Sequence, residues 1–164
     1  MNAKPLYLIF LFGISSLITF SCNQPAPASL TSEEISNIED TVKQLVRTIE
    51  IAANQLDIEP SFDLFSDDPD FTFSEDGYIK PPKDSLYKII KPMYNNFSEM
   101  SASYDTLRIS VLSRNSAVVS GEGPWAATDV SGNKYGGHLA SMFVFVRRNG
   151  EWKLLHGHTS HTFN

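Results

Sequence analysis

The chain has 164 residues, 41% of them hydrophobic, which is enough for one domain around one core. Its 19 acidic residues outnumber 13 basic ones, and no basic run interrupts that balance, so nothing supports nucleic-acid binding. A single cysteine excludes an internal disulfide, and no internal repeat is visible.

The chain opens with Lys4 and an apolar segment from Pro5 to Ile14, followed by Ser15 to Ser21 and then Cys22. The segment is short for a membrane span, which needs about 20 apolar residues. A basic start, an apolar stretch and a small residue before the cysteine resemble a bacterial lipoprotein signal. That resemblance implies cleavage after residue 21 and lipid on the Cys22 sulfur. The localisation it implies is the cell envelope, with the chain tethered to a membrane. An ordinary signal peptide cut elsewhere and an uncleaved anchor are the alternatives. Residues 22–30 carry two prolines and small side chains, and read as a flexible tether. The folded domain is expected over residues 31–164.

Thr31-Ser32-Glu33-Glu34 has the hydroxyl and early carboxylates of a helix start. Ile35, Ile38, Val42, Leu45, Val46, Ile49 and Ala53 then repeat at spacings of three and four, predicting a long helix to about Asn54. Glu39, Lys43, Arg47 and Glu50 read as its solvated face. A short helix follows near Pro60, anchored by Phe62 and Phe65. Asp67-Asp68-Pro69-Asp70 lacks the calcium-loop pattern and reads as an acidic turn. Phe71-Thr72-Phe73 reads as a strand and Asp76-Gly77 as a turn. A third helix is expected over residues 84–97, with Leu86, Ile89, Ile90, Met93 and Tyr94 facing inward and Pro92 kinking or ending it.

Four long strands are expected over residues 101–112, 117–128, 135–148 and 151–161. Asn149-Gly150 between the last two is a strong hairpin signal. Helices followed by a meander predict an α+β fold, with helices packed on one face of a curved antiparallel sheet. A two-residue turn opposes Arg148 to Glu151. Counting outward without interruption pairs Phe145 with Leu154, Phe143 with His156, Ser141 with His158 and Leu139 with Ser160. Opposed residues share a face, so this set, with Trp152, is expected under the helices. Its aromatic floor turns polar at His156, His158, Ser141 and Ser160, as a pocket would. Strand parity brings Asp105 to the same end, and Trp125 joins from the second strand. The opposite face carries Met142, Val144 and Leu155, and a homodimer contact is the simplest cover for it.

Arg147-Arg148-Asn149-Gly150-Glu151-Trp152-Lys153-Leu154-Leu155-His156-Gly157-His158-Thr159-Ser160 is similar to the last hairpin of the NTF2-like superfamily, particularly its SnoaL-like members. The long amphipathic first helix and the order of elements agree. The resemblance implies a cone: a bent sheet wrapped around helices, with a pocket inside, often dimeric. It implies no single activity, because members include isomerases, cyclases, dehydratases, binders and assembly modules.

The chemistry has two readings. In the first, the domain binds a small, partly apolar molecule or a protein partner, and no cofactor is implied. In the second, His158 or His156 acts as general acid or base, with Asp105 orienting it. His156-x-His158 also places two imidazoles about 7 Å apart on one face. Zinc would need a third ligand from Asp105 or Glu122, a bare His-x-His is weak evidence without one, and no metal is expected. His138 opposite His161 reads as an accidental exposed pair. Trp152 reads as core. Trp125 follows Gly121-Glu122-Gly123-Pro124, which marks a bend that either aims it over the pocket or merely curls the sheet.

Overall fold

The computed structural model describes residues 29–164, so the expectations for the signal segment, Cys22 and most of the tether lie outside the described residues. Among the described residues no helix is long and apolar enough to cross a membrane.

Helix α1 spans Ser32–Asn54. Thr31 caps it: its hydroxyl accepts the Glu34 N–H at 3.1 Å, while Glu34 accepts the Thr31 N–H at 2.8 Å. Two orphan donors of the first turn are thereby satisfied. The apolar stripe buries Val42 and Val46 in the core, and Ala52, one residue before the expected Ala53, is buried as well. Helix α2, Glu59–Leu64, is short and buries Phe62. Helix α3, Lys83–Tyr94, contains Pro92 in its last turn, where the missing N–H leaves the Lys88 carbonyl without its helical donor, and the helix ends two residues later. Leu86 is buried, but Ile89 and Met93 are 50% and 46% exposed, so the inward face of α3 is narrower than its periodicity predicts.

The seven strands are β1 (Thr72–Glu75), β2 (Tyr78–Ile79), β3 (Phe97–Ala102), β4 (Thr106–Ser113), β5 (Ser116–Asp129), β6 (Lys134–Arg148) and β7 (Glu151–His161). They form one sheet in the order β2-β1-β7-β6-β5-β3, with β4 also pairing β5. The architecture is the expected α+β cone of helices on a curved sheet. The sheet is mixed, because β1 joins β7 in parallel. The expected first long strand is two strands, broken at Ser103-Tyr104-Asp105. Gly123 explains the break: a Cβ there would lie 2.0 Å from the Ser103 carbonyl oxygen. Only glycine lets the crossing chain come so close.

The β6–β7 hairpin turns as expected at Asn149 (φ 54°) and Gly150 (φ 88°). Arg148 opposes Glu151, Arg147 opposes Trp152, and Phe145 opposes Leu154. The register then slips. Val144 opposes His156, Phe143 opposes Gly157, Met142 opposes His158, Ser141 opposes Thr159 and Ala140 opposes Ser160. Leu155 is therefore the extra residue of a β-bulge. A one-residue slip sends every later side chain to the other face. Gly157, Thr159 and His161 face the helices, whereas His156, His158 and Ser160 face out.

The core lies between α1, α2 and the inner sheet face. Phe145, Leu154, Val42, Val46 and Val119 are its fully buried side chains. Phe62, Phe65, Phe71 and Phe73 form an aromatic ladder from α2 to β1. The acidic turn after α2 is held by Lys83 to Asp67 at 2.7 Å and by an Arg148–Asp68 ion pair.

Candidate functional site

The inner sheet face and the helices enclose a cavity of about 630 Å³. Its walls are mainly aromatic and aliphatic: Phe62, Phe73, Ile90, Met100, Phe143 and Leu139 are representative. Aromatic walls with few polar groups suit a small, partly apolar molecule. Two tyrosines, Tyr94 of α3 and Tyr104 of the β3–β4 connection, add hydroxyls. Burial pushes the Tyr94 hydroxyl pKa up, and the Glu75 charge pushes it further. Burial likewise pushes the Tyr104 hydroxyl up to about 12, against the hydrogen bond to Ser141. Both remain protonated near neutrality.

One corner is ionic. Asp76 and Gly77, at φ 50° and 86°, make the two-residue turn joining β1 to β2. The parallel β1–β7 pairing brings that turn beside the end of β7. There the Asp76 carboxylate accepts the His161 backbone N–H at 2.8 Å and meets His161 Nδ1 at 3.1 and 3.2 Å. A carboxylate only accepts, so Nδ1 carries the proton and Nε2 is left as the basic nitrogen. The His161 side chain is 20% exposed and Asp76 43%, so the pair sits between cavity and solvent. Trp125 meets the His161 ring edge-on at 5.4 Å, and Phe163 packs on Trp125 at 5.3 Å. The Trp125 indole N–H donates to the Thr162 carbonyl at 3.1 Å, which fixes this wall. Trp125 lines the cavity, and β5 pairs β6 without a register shift through Gly121–Gly123.

Among the described residues, Glu75, Asp76 and His161 are the one group of three carboxylate or imidazole donors, with ligand atoms within 4.8 Å of one another. They are the residues that would hold a cation here. Both carboxylates already have basic partners, since Lys80 meets Glu75 at 2.9 Å and His161 meets Asp76. His156, His158, Asp105 and Glu122 do not assemble into such a group.

The inner-face placement of several expected residues is corrected by the bulge. His156, His158 and Ser160 are exposed on the outer face, and His158 Nδ1 lies 2.9 Å from the Ser74 hydroxyl of β1. Asp105 is exposed in the β3–β4 connection, where its N–H donates to the Glu122 carbonyl at 3.0 Å. Phe143 and Trp125 do line the cavity. Ser141 faces inward but lies within the wall, 6% exposed, bonded to Tyr104 and Thr159. Trp152 packs against the core, as expected. Glu50, expected on a solvated face, accepts the Tyr104 N–H at 2.8 Å and borders the cavity. Asp76 and His161 were legible only as a turn and as an accidental pair.

A sheet bent around helices over an apolar cavity is the NTF2-like architecture. The chain belongs to the SnoaL-like domain family, whose pattern matches residues 42–164. Solved structures agree on the fold. An NTF2-like superfamily protein from Salmonella enterica serovar Typhimurium LT2 is 17% identical, with 77% of this chain and 92% of that one covered at a TM-score of 0.69. A protein named provisionally as a scytalone dehydratase, from Novosphingobium aromaticivorans DSM 12444, is 13% identical, with coverage of 80% and 89% and a TM-score of 0.73. A hexachlorocyclohexane dehydrochlorinase from Novosphingobium barchaimii LL02 is 12% identical, with coverage of 82% and 93% and a TM-score of 0.70. No curated protein matches the sequence.

Proposed function

We propose that the domain binds a small, partly apolar molecule inside the cone and removes a proton from it, with His161 as general base and Asp76 as the residue that orients it. The observation that carries this reading is the His161 Nδ1 contact with both Asp76 oxygens at the edge of an apolar cavity. Asp76 fixes the tautomer and stabilises the imidazolium once Nε2 has taken the proton. The class of reaction is elimination or isomerisation. Two fold neighbours bear the names dehydrochlorinase and dehydratase, which are eliminations by name.

Nitrobenzisoxazole tests this reading without knowledge of the natural substrate. A base takes its ring carbon's proton, the N–O bond breaks, and the coloured cyanonitrophenolate leaves. The expected result is turnover above buffer that collapses in His161→Ala, drops in Asp76→Asn and persists in His158→Ala. Turnover retained in His161→Ala would end the proposal. A binding-only role is the second reading, favoured by the preponderance of apolar wall over polar groups. Under it, His161→Ala changes affinity for an apolar dye and there is no turnover to lose.

We also propose that Cys22 carries lipid and holds the domain at an envelope membrane, on the strength of the segment preceding it. Cys22→Ser should then move the protein from the membrane fraction to the soluble fraction. An unchanged distribution would contradict the tether.

A further inference from the structure

Tyr104, Ser141 and Thr159 form a chain of three hydroxyls in the cavity wall, drawn from the β3–β4 connection, β6 and β7. Tyr104 Oη donates to Ser141 Oγ at 2.8 Å, and Ser141 Oγ lies 3.0 Å from Thr159 Oγ1. Ser141 and Thr159 are directly opposed across the β6–β7 ladder and are 6% and 9% exposed. Tyr104 and Thr159 also line the cavity. Burial keeps the Tyr104 hydroxyl protonated, as a donor should be.

Each hydroxyl has one proton to give, and counting them sets the direction of the chain. Tyr104 gives its proton to Ser141. Either direction between Ser141 and Thr159 leaves one proton over: on Ser141, which does not line the cavity, it would be sealed in the wall, whereas on Thr159, which does, it can meet a ligand or water. Ser141 therefore donates to Thr159. The Thr159 proton then has no acceptor among the described residues. Each bond also polarises the next, so the last O–H is the strongest donor of the three.

We infer that Thr159 offers its hydroxyl proton to the cavity and selects ligands that carry an oxygen acceptor, such as a carbonyl or ether oxygen. The inference rests on the reading that the cavity is the ligand site. Thr159 and His161 lie two residues apart on one face of β7, about 7 Å along the strand. The acceptor oxygen and the carbon that surrenders its proton therefore belong a few bonds apart. The Asp76 N–H donates to the Thr159 carbonyl at 3.1 Å, so the same turn that orients His161 also holds Thr159 in place.

Fluorenone and fluorene test this inference, because they share one shape and differ in an acceptor oxygen. The wild-type protein should bind fluorenone roughly 2- to 10-fold more tightly than fluorene. Thr159→Val should abolish the preference and Thr159→Ser should keep it. The infrared carbonyl stretch of bound fluorenone should fall below its value in an apolar solvent in wild type and equally in Tyr94→Phe, which keeps the test decisive even if the valine variant fails to fold. His161→Gln should keep the preference, so loss of turnover and loss of selectivity are separate results. Equal binding of the two probes, a preference surviving in Thr159→Val, an unshifted carbonyl stretch, or no binding of either probe would overturn the inference. The last of these would overturn the small-molecule reading with it.

Discussion

Gly157→Ala distinguishes a bulged β7 from an uninterrupted one. In the structure Gly157 faces inward beneath the Phe73 ring of β1, and the two residues are register partners. A Cβ at Gly157 would lie 2.5 and 2.6 Å from two carbons of that ring. Carbon atoms prefer about 3.5–4.0 Å, so the ring must retreat by about 1 Å. Phe73 is not free to do so cheaply, because it stacks on Phe65 at 5.8 Å with an 18° interplanar angle. Overpacking of this kind costs about 1–3 kcal/mol. For a domain of this size that is a fall in melting temperature of roughly 3–10 °C. An uninterrupted hairpin would put Gly157 on the outer face beside Met142, where alanine in place of a strand glycine gains about 0.5–1 kcal/mol. The same melting experiment on His158→Ala should show a change within about 0.5 kcal/mol, because that side chain is exposed. An alanine at 157 as stable as wild type, together with a strongly destabilising His158→Ala, would refute the bulge and the inner-face assignment built on it.

Gly123→Ala should be severe, because the new Cβ would meet the Ser103 backbone oxygen at 2.0 Å and backbone cannot swing aside. A loss of about 3 kcal/mol or more is expected in urea unfolding, and near-wild-type stability would mean that β3 and β4 do not cross where described. The Tyr104 hydroxyl is raised from 10.0 to about 12 by burial. A raised folded-state pKa contributes stability that is complete below the unfolded value and is lost as pH rises from about 10 toward 12. Over that window wild type should lose roughly 2 kcal/mol that Tyr104→Phe does not lose, measured by urea titration at each pH. Parallel curves for the two proteins would contradict a buried, protonated Tyr104.

Much of the fold is legible because it is locally encoded. The Thr31/Glu34 capping box, the stripe through Val42 and Val46, and the Asn149-Gly150 turn each state their geometry within a few residues. The register next to that turn is equally legible, and it holds for four pairs. It fails beyond Leu154 because no turn residue announces a bulge. The consecutive Leu154-Leu155 pair, apolar where alternation demands a change, is the one local hint. The site is less legible for a second reason. Asp76 reaches His161 only because β1 joins β7 in parallel, a pairing between segments some 80 residues apart in the chain that no periodicity records. Phe143, Trp125 and Ser141 were visible because they lie on strands whose parity survives. His156, His158 and Ser160 were misplaced together, by the same single residue.

The most direct test of the central claim is to ask which sheet face takes a ligand. Amide chemical-shift changes on titration with fluorenone, read from an isotope-labelled sample, separate the two faces because inner and outer residues alternate along β7. The account predicts the largest changes at Asp76, Tyr94, Trp125, Thr159 and His161. Changes centred instead on Thr106, Arg108, His158 and Ser160, which line a shallow groove on the outer face, would contradict it.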